Sequence, residues 1–193
     1  MRAVKLIAVL SMAASLWATA AVAAADTPQV QKDIETVIHD MAGRWAKNTW
    51  STIAKDLWDP KEPTPMYLAE EEAGWLVGWD ALNQYFNPKR AGEGFMQAAE
   101  YNASNIQVHT ISDDLAVATW NIYWQMKMRP APAIAERLRA TGIFRKTSEG
   151  WKFIHYAEAP KSPSAYITDL YNAQVSPEFR ERVKGMGGGR PVN

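Results

Sequence analysis

The sequence predicts an α+β fold, with a curved antiparallel sheet packed on N-terminal helices and a C-terminal helical tail. Three observations carry that expectation. Residues 28–58 hold two apolar stripes at helical spacing, residues 101–159 hold long runs that alternate with period two, and proline-rich stretches separate or follow them. No internal repeat and no second domain are visible, so the chain divides into residues 1–25, a single domain over 26–160 and a tail over 161–193.

Residues 1–25 read as an address rather than as fold. Arg2 and Lys5 precede an apolar stretch from Leu6 to Ala20, and Ala21, Val22 and Ala23 with further alanines complete the pattern of a cleaved secretory signal. A membrane anchor needs about 20 apolar residues and a stop-transfer flank, so the mature protein is expected free of the membrane. In a bacterial setting export means the periplasm. The sequence contains no cysteine, which removes disulfides, thiolate nucleophiles and cysteine metal sites. Basic and acidic residues balance at 21 each, and losing Arg2 and Lys5 with the leader tips the mature chain slightly acidic. With no basic stripe, nucleic acid is not an expected partner. All but Trp17 of the nine tryptophans lie in the mature chain, and such rings serve cores, ligand pockets and interfaces.

Thr27 and Pro28 suit an N-cap followed by proline at the first helical position. Val30, Ile34, Val37, Ile38, Met41 and Trp45 then form the stripe of a first helix. A second, shorter helix carries Trp50, Ile53, Ala54, Leu57 and Trp58, and it must end by Asp59 because Pro60 follows. Met66–Ala69 reads as a short strand. Glu70, Glu71 and Glu72 read as a solvated turn rather than a catalytic carboxylate cluster. Gly78–Phe86 reads as a third helix, with Asp80 suited to the helix dipole, and Asn87 with Pro88 ends it. Tyr101–Ile111 and Leu115–Met128 are the first long strands, with Ser112, Asp113 and Asp114 as their turn. A closing hairpin follows, and Ser162–Pro163 and Ser176–Pro177 each announce a tail helix, over Pro163–Gln174 and Pro177–Lys184. Gly185–Asn193 is expected to be a disordered end.

The closing hairpin turns at Thr147, Ser148, Glu149 and Gly150. In an unbroken register Lys146 faces Trp151, Phe144 faces Phe153, and Gly142 faces His155. Directly opposed residues share a sheet face. His155 would then stand over a glycine between two phenylalanines, in an apolar recess with one titratable group.

Several segments of this region together resemble the nuclear transport factor 2-like superfamily, in its SnoaL-like branch. They are Ser112–Trp120, Thr141–Lys146, Gly150 with Trp151, Ile154–Tyr156, and Gly78 with Trp79 leading into a helix. The resemblance covers residues 28–159 and implies a cone-shaped α+β domain. It implies a small-molecule cavity facing the apolar side of the sheet, and dimerisation through the opposite side. Superfamily members include isomerases, dehydratases, hydrolases, lyases (some acting on lignin-derived diaryl compounds) and non-catalytic binding or assembly modules. The second histidine that often ends the pattern is Ala157 here, and no catalytic set of a particular branch maps onto this chain.

On this reading His155 is the candidate general acid or base, and Tyr67 is a candidate donor to a developing oxyanion. Trp45, Trp120, Trp124, Phe144 and Phe153 are the candidate substrate contacts. His39 and His109 are scattered without a carboxylate at helical spacing, so no metal site is expected. Arg139 and Arg145 share the outward face with Thr141 and read as interface groups. No G-x-S-x-G, H-E-x-x-H or Walker loop occurs, and no cofactor is expected. The expected activity is cofactor-free proton transfer on a small apolar, aromatic molecule in the periplasm, by a homodimer. The alternative is a binding or assembly module of the same fold.

Overall fold

The computed structural model describes residues 27–87, 96–160 and 175–186. The signal segment 1–25, the tail helix at Pro163–Gln174 and the chain end beyond Met186 lie outside those residues. Helix α1 (Thr27–Ala46) is followed by a 3₁₀ turn (Trp50–Thr52) and α2 (Ile53–Leu57). Two short strands, β1 (Met66–Leu68) and β2 (Leu76–Val77), lead into α3 (Gly78–Tyr85). Four long strands then run in succession: β3 (Met96–Ser112), β4 (Leu115–Met128), β5 (Ile134–Thr147) and β6 (Gly150–Pro160). Helix α4 (Pro177–Val183) belongs to the tail.

The strands form one sheet in the order β2-β1-β6-β5-β4-β3. Neighbours are antiparallel except β1 and β6, which run parallel. α1 lies against β3 and buries Val30, Ile34, Ile38, Met41 and Trp45, while Val37 is only partly buried. Truncating Ile34 or Ile38 to Ala would cost about 2–5 kcal/mol, because both are fully buried. α2 stops at Leu57, and Trp58 continues in extended conformation to bridge Phe153 of β6.

Two of the register shifts in the sheet have clear consequences. In β3, Asn105 and Ile106 occupy the interval opposite Trp120, and Asn105 takes a left-handed φ of 52°, which asparagine tolerates. Gln31 of α1 repairs the interrupted ladder: its Nε2 donates to the Ile106 carbonyl at 3.0 Å, and its Oε1 accepts from the Val108 amide at 3.0 Å. In β6, Phe153 pairs with Phe144 and His155 pairs with Ile143, so Ile154 is the extra residue. From there to the end of β6 every side chain lies on the opposite face from that of an unbroken hairpin.

The inner face of the sheet, which meets the helices, mixes small and large residues. Ala116, Ala118, Ala140 and Gly142 are buried there and make room for Trp120, Phe144, Phe153 and Tyr156. Outside, α4 returns to the sheet: Ser176 caps the helix by accepting from the Phe179 amide, and its own amide donates to Gln125 at 2.6 Å. Gln125 in turn donates to Glu100 at 2.8 Å, and Glu100 pairs with Arg182 of α4. These bonds satisfy a glutamine that is 2% exposed.

Candidate active site

The displaced register of β6 decides what the inner face contains. Tyr156, not His155, stands opposite Gly142, and Glu158 stands opposite Ala140. The expected pairing of His155 with Gly142 is therefore corrected. His155 shares an outer row with Ile143 and Met66, and its ring lies 5.3 Å from that of Trp75. Burial lowers its pKa from the ordinary value. The expected recess over Gly142 is corrected too. A Cβ there would meet the rings of both Phe144 and Phe153 at 3.0 Å, so those rings already cover the glycine.

Four aromatic rings cross the inner face nearly parallel. Phe86 stacks on Tyr67 at 5.9 Å, Tyr67 on Tyr156 at 5.0 Å, and Tyr156 on Trp120 at 5.4 Å. The row exists because β1 places Tyr67 directly beside Tyr156, and the small residues of β5 leave room for Trp120. On one side of it, Phe144 and Phe153 pack together at 4.4 Å with Trp58 against Phe153. On the other side, Trp45 of α1 meets Trp50 at 5.6 Å and Trp124 at 5.1 Å. The expected substrate contacts are thus divided: Trp45, Trp120, Phe144 and Phe153 are interior, whereas Trp124 keeps partial solvent contact.

Glu158 lies at the centre of the polar groups. The Tyr156 hydroxyl donates to its Oε1, the Tyr67 hydroxyl donates to its Oε2 at 3.3 Å, and the Glu70 backbone amide bonds to it as well. Behind Tyr156, the Tyr101 and Tyr156 hydroxyl oxygens are 3.0 Å apart, and the Trp120 indole donates to Tyr101 at 2.8 Å. Glu136 of β5, opposite Trp124, hydrogen-bonds Glu70. Glu71 accepts from Tyr85 of α3 at 2.7 Å. Glu70 and Glu71 are therefore not merely a solvated turn: they join the loop after β1 to β5 and α3 around Glu158, although Glu71 remains exposed.

Burial pushes the Glu158 carboxyl up to about 8; the Tyr156 bond opposes this, and the Glu71 and Glu70 charges add to it. Glu136 is also pushed up to about 8, first by burial and then by its bond to Glu70. Glu70 is raised by burial, although the Glu136 bond pulls it back. Tyr67, Tyr101 and Tyr156 are raised well above the ordinary phenol value, chiefly by burial and then by the Glu158 charge, so they stay protonated and available as donors. Glu158, Glu136, Glu70 and Trp124 all retain partial exposure, which identifies the end of the inner face open to solvent. Among the described residues, no group of three His, Asp or Glu side chains is arranged to hold a metal ion.

Of the two residues expected to be catalytic, the structure brings Tyr67 to the carboxyl and leaves His155 outside. Glu158 and Glu136 were not singled out in the sequence. Arg145, expected in an interface, pairs within the chain with Asp59 and Glu62, each at 2.9 Å.

The SnoaL-like domain model matches residues 34–160, and the chain belongs to that family. A solved nuclear transport factor 2-like superfamily protein from Salmonella enterica superposes with TM-score 0.60 at 16% identity, covering 71% of this chain and 95% of its own. A protein from Novosphingobium aromaticivorans, provisionally named a scytalone dehydratase, gives TM-score 0.59 at 18% identity over 69% and 85% of the two chains. LinA gives 0.56 at 13% identity over 68% and 86%. At these identities the likeness concerns the fold. No curated protein sequence matches the chain.

Proposed function

We propose that the protein is a cofactor-independent enzyme that moves a proton on a small, largely apolar aromatic molecule, by lyase, isomerase or dehydratase chemistry. One observation carries this reading: Glu158, a carboxyl pushed up to about 8, is held between two phenol donors at the open end of an aromatic inner face. A group with that value exchanges its proton near neutral pH, which suits a general acid–base catalyst. In its ionised form Glu158 would take a proton from carbon. As Glu158 takes that proton, the Tyr67 hydroxyl would turn its single proton from Glu158 to an oxygen on which charge develops, and protonated Glu136 would supply a proton to a leaving oxygen. In a dehydration the C–H pair would become the new double bond as the C–O bond broke and water left.

Dehydratases and a ring hydroxylase among the provisional names of solved relatives support a small aromatic or cyclic substrate, without assigning one. Because Glu158 must be ionised and Glu136 protonated, the rate should rise toward pH 8 and fall above it. The test is a screen of hydroxylated aromatic compounds for deuterium uptake from D₂O, followed by proton NMR. Glu158→Gln should slow exchange by about 10²-fold or more while His155→Gln leaves it unchanged. Exchange that survives Glu158→Gln would refute the assignment. Binding without exchange of any compound would leave a non-catalytic binding module.

A further inference from the structure

The indole of Trp120 can donate a hydrogen bond but cannot accept one. Its bond to Tyr101 therefore occupies the Tyr101 oxygen as an acceptor. Between the Tyr101 and Tyr156 oxygens either atom could supply the proton. When Glu158 is ionised it can only accept, and it takes the single proton of Tyr156. In that state the remaining choice is fixed: Tyr101 must donate to Tyr156. Every bond then points one way, from Trp120 through Tyr101 and Tyr156 to Glu158.

We propose that Tyr101 is a positioning residue for the proton-transfer site: pinned by the Trp120 indole, it donates to Tyr156 and so commits the Tyr156 proton to Glu158. This rests on the reading of Glu158 as the proton-transfer group. Tyr101 is 6% exposed and lies one hydroxyl removed from the carboxyl, so it acts through Tyr156 rather than on a substrate. Bonds aligned in series polarise one another, so each donor strengthens the next. The row is also a dead end, since an indole N–H does not pass protons on. Protons must reach and leave Glu158 from its other side, where Tyr67, Glu70, Glu71 and Glu136 face the open end.

The experiment is a carbon-13 NMR titration of the Glu158 carboxyl in the full chain, assigned with Glu158→Gln, together with the D₂O exchange rate. In Tyr101→Phe the Glu158 midpoint should rise by roughly half a pH unit, because Tyr156 becomes a weaker donor to the ionised form. Exchange should slow with KM unchanged. Replacing Tyr101 with 3-fluorotyrosine, a stronger donor of nearly the same size, should move the midpoint the other way, which separates polarisation from misfolding. A midpoint that stays put in both variants, while Tyr156→Phe moves it, would overturn the proposal. If Glu158→Gln keeps the wild-type exchange rate, the functional reading fails, and the midpoints still decide whether Tyr101 orients Tyr156.

Discussion

Replacing Glu158 with Gln should make the fold less sensitive to alkali. The folded carboxyl binds its proton more tightly than the unfolded one, with the value pushed from the ordinary 4.5 to about 8. Unfolding therefore releases a proton between those limits. The stability tied to that proton is fully present below about 4.5 and is lost as pH rises through 8. A shift of roughly 3.5 pH units sets a ceiling of about 5 kcal/mol. Glu158 keeps some solvent contact, and screening reduces the expected effect to about 2–3 kcal/mol. Gln keeps an acceptor for the Tyr156 hydroxyl but has no proton to lose. Urea unfolding of both proteins at pH 5, 7 and 9 provides the assay. The variant should gain about 2–3 kcal/mol relative to wild type between pH 5 and pH 9, while the contribution of Glu136, present in both, largely cancels. A stability difference that stays constant across this range would refute the burial of a protonated Glu158.

Three further outcomes follow from the same structure. Gly142→Ala should lower stability by about 1–3 kcal/mol, read as a fall in Tm, because the new Cβ meets two packed phenylalanine rings at 3.0 Å. The outer sheet face, with Thr119, Asn121, Tyr123, Arg139, Thr141 and Ile143, is expected to form a homodimer. Light scattering should give a dimer mass that Ile143→Asp splits, and a monomeric wild type would contradict this. Exported protein should start between Ala24 and Asp26 by intact mass, and a membrane-bound species retaining Met1 would contradict the leader.

The elements that depend on local pattern were legible in the sequence. The stripe from Val30 to Trp45 is the buried side of α1, and the alternation from Ala116 to Ile122 is the inner side of β4. The turn at Thr147–Gly150 and the pairing of Phe144 with Phe153 also stand as read. The paired stretch of β2 is only two residues long, too short to show a period. The site was missed at one residue. An unbroken hairpin puts His155 inward, whereas the bulge at Ile154 sends Tyr156 and Glu158 there instead. The apolar pattern did contain a signal: Trp151 and Phe153 are odd-numbered, and the next buried residue, Tyr156, is even. Applying that change of parity to β6 would have aligned Glu158 with Ala140. Glu70 joins the site through a contact across the sheet to Glu136, which a local reading of the Glu70–Glu72 run could not supply.

The most direct test of the account is a crystal structure of the protein with the compound that gives the fastest exchange. The account predicts the ligand at the open end of the inner face, with a polar atom within hydrogen-bonding reach of Glu158 or Tyr67 and its ring against Trp124. A ligand bound on the outer face beside His155 and Trp75, with the Glu158 side empty, would contradict it.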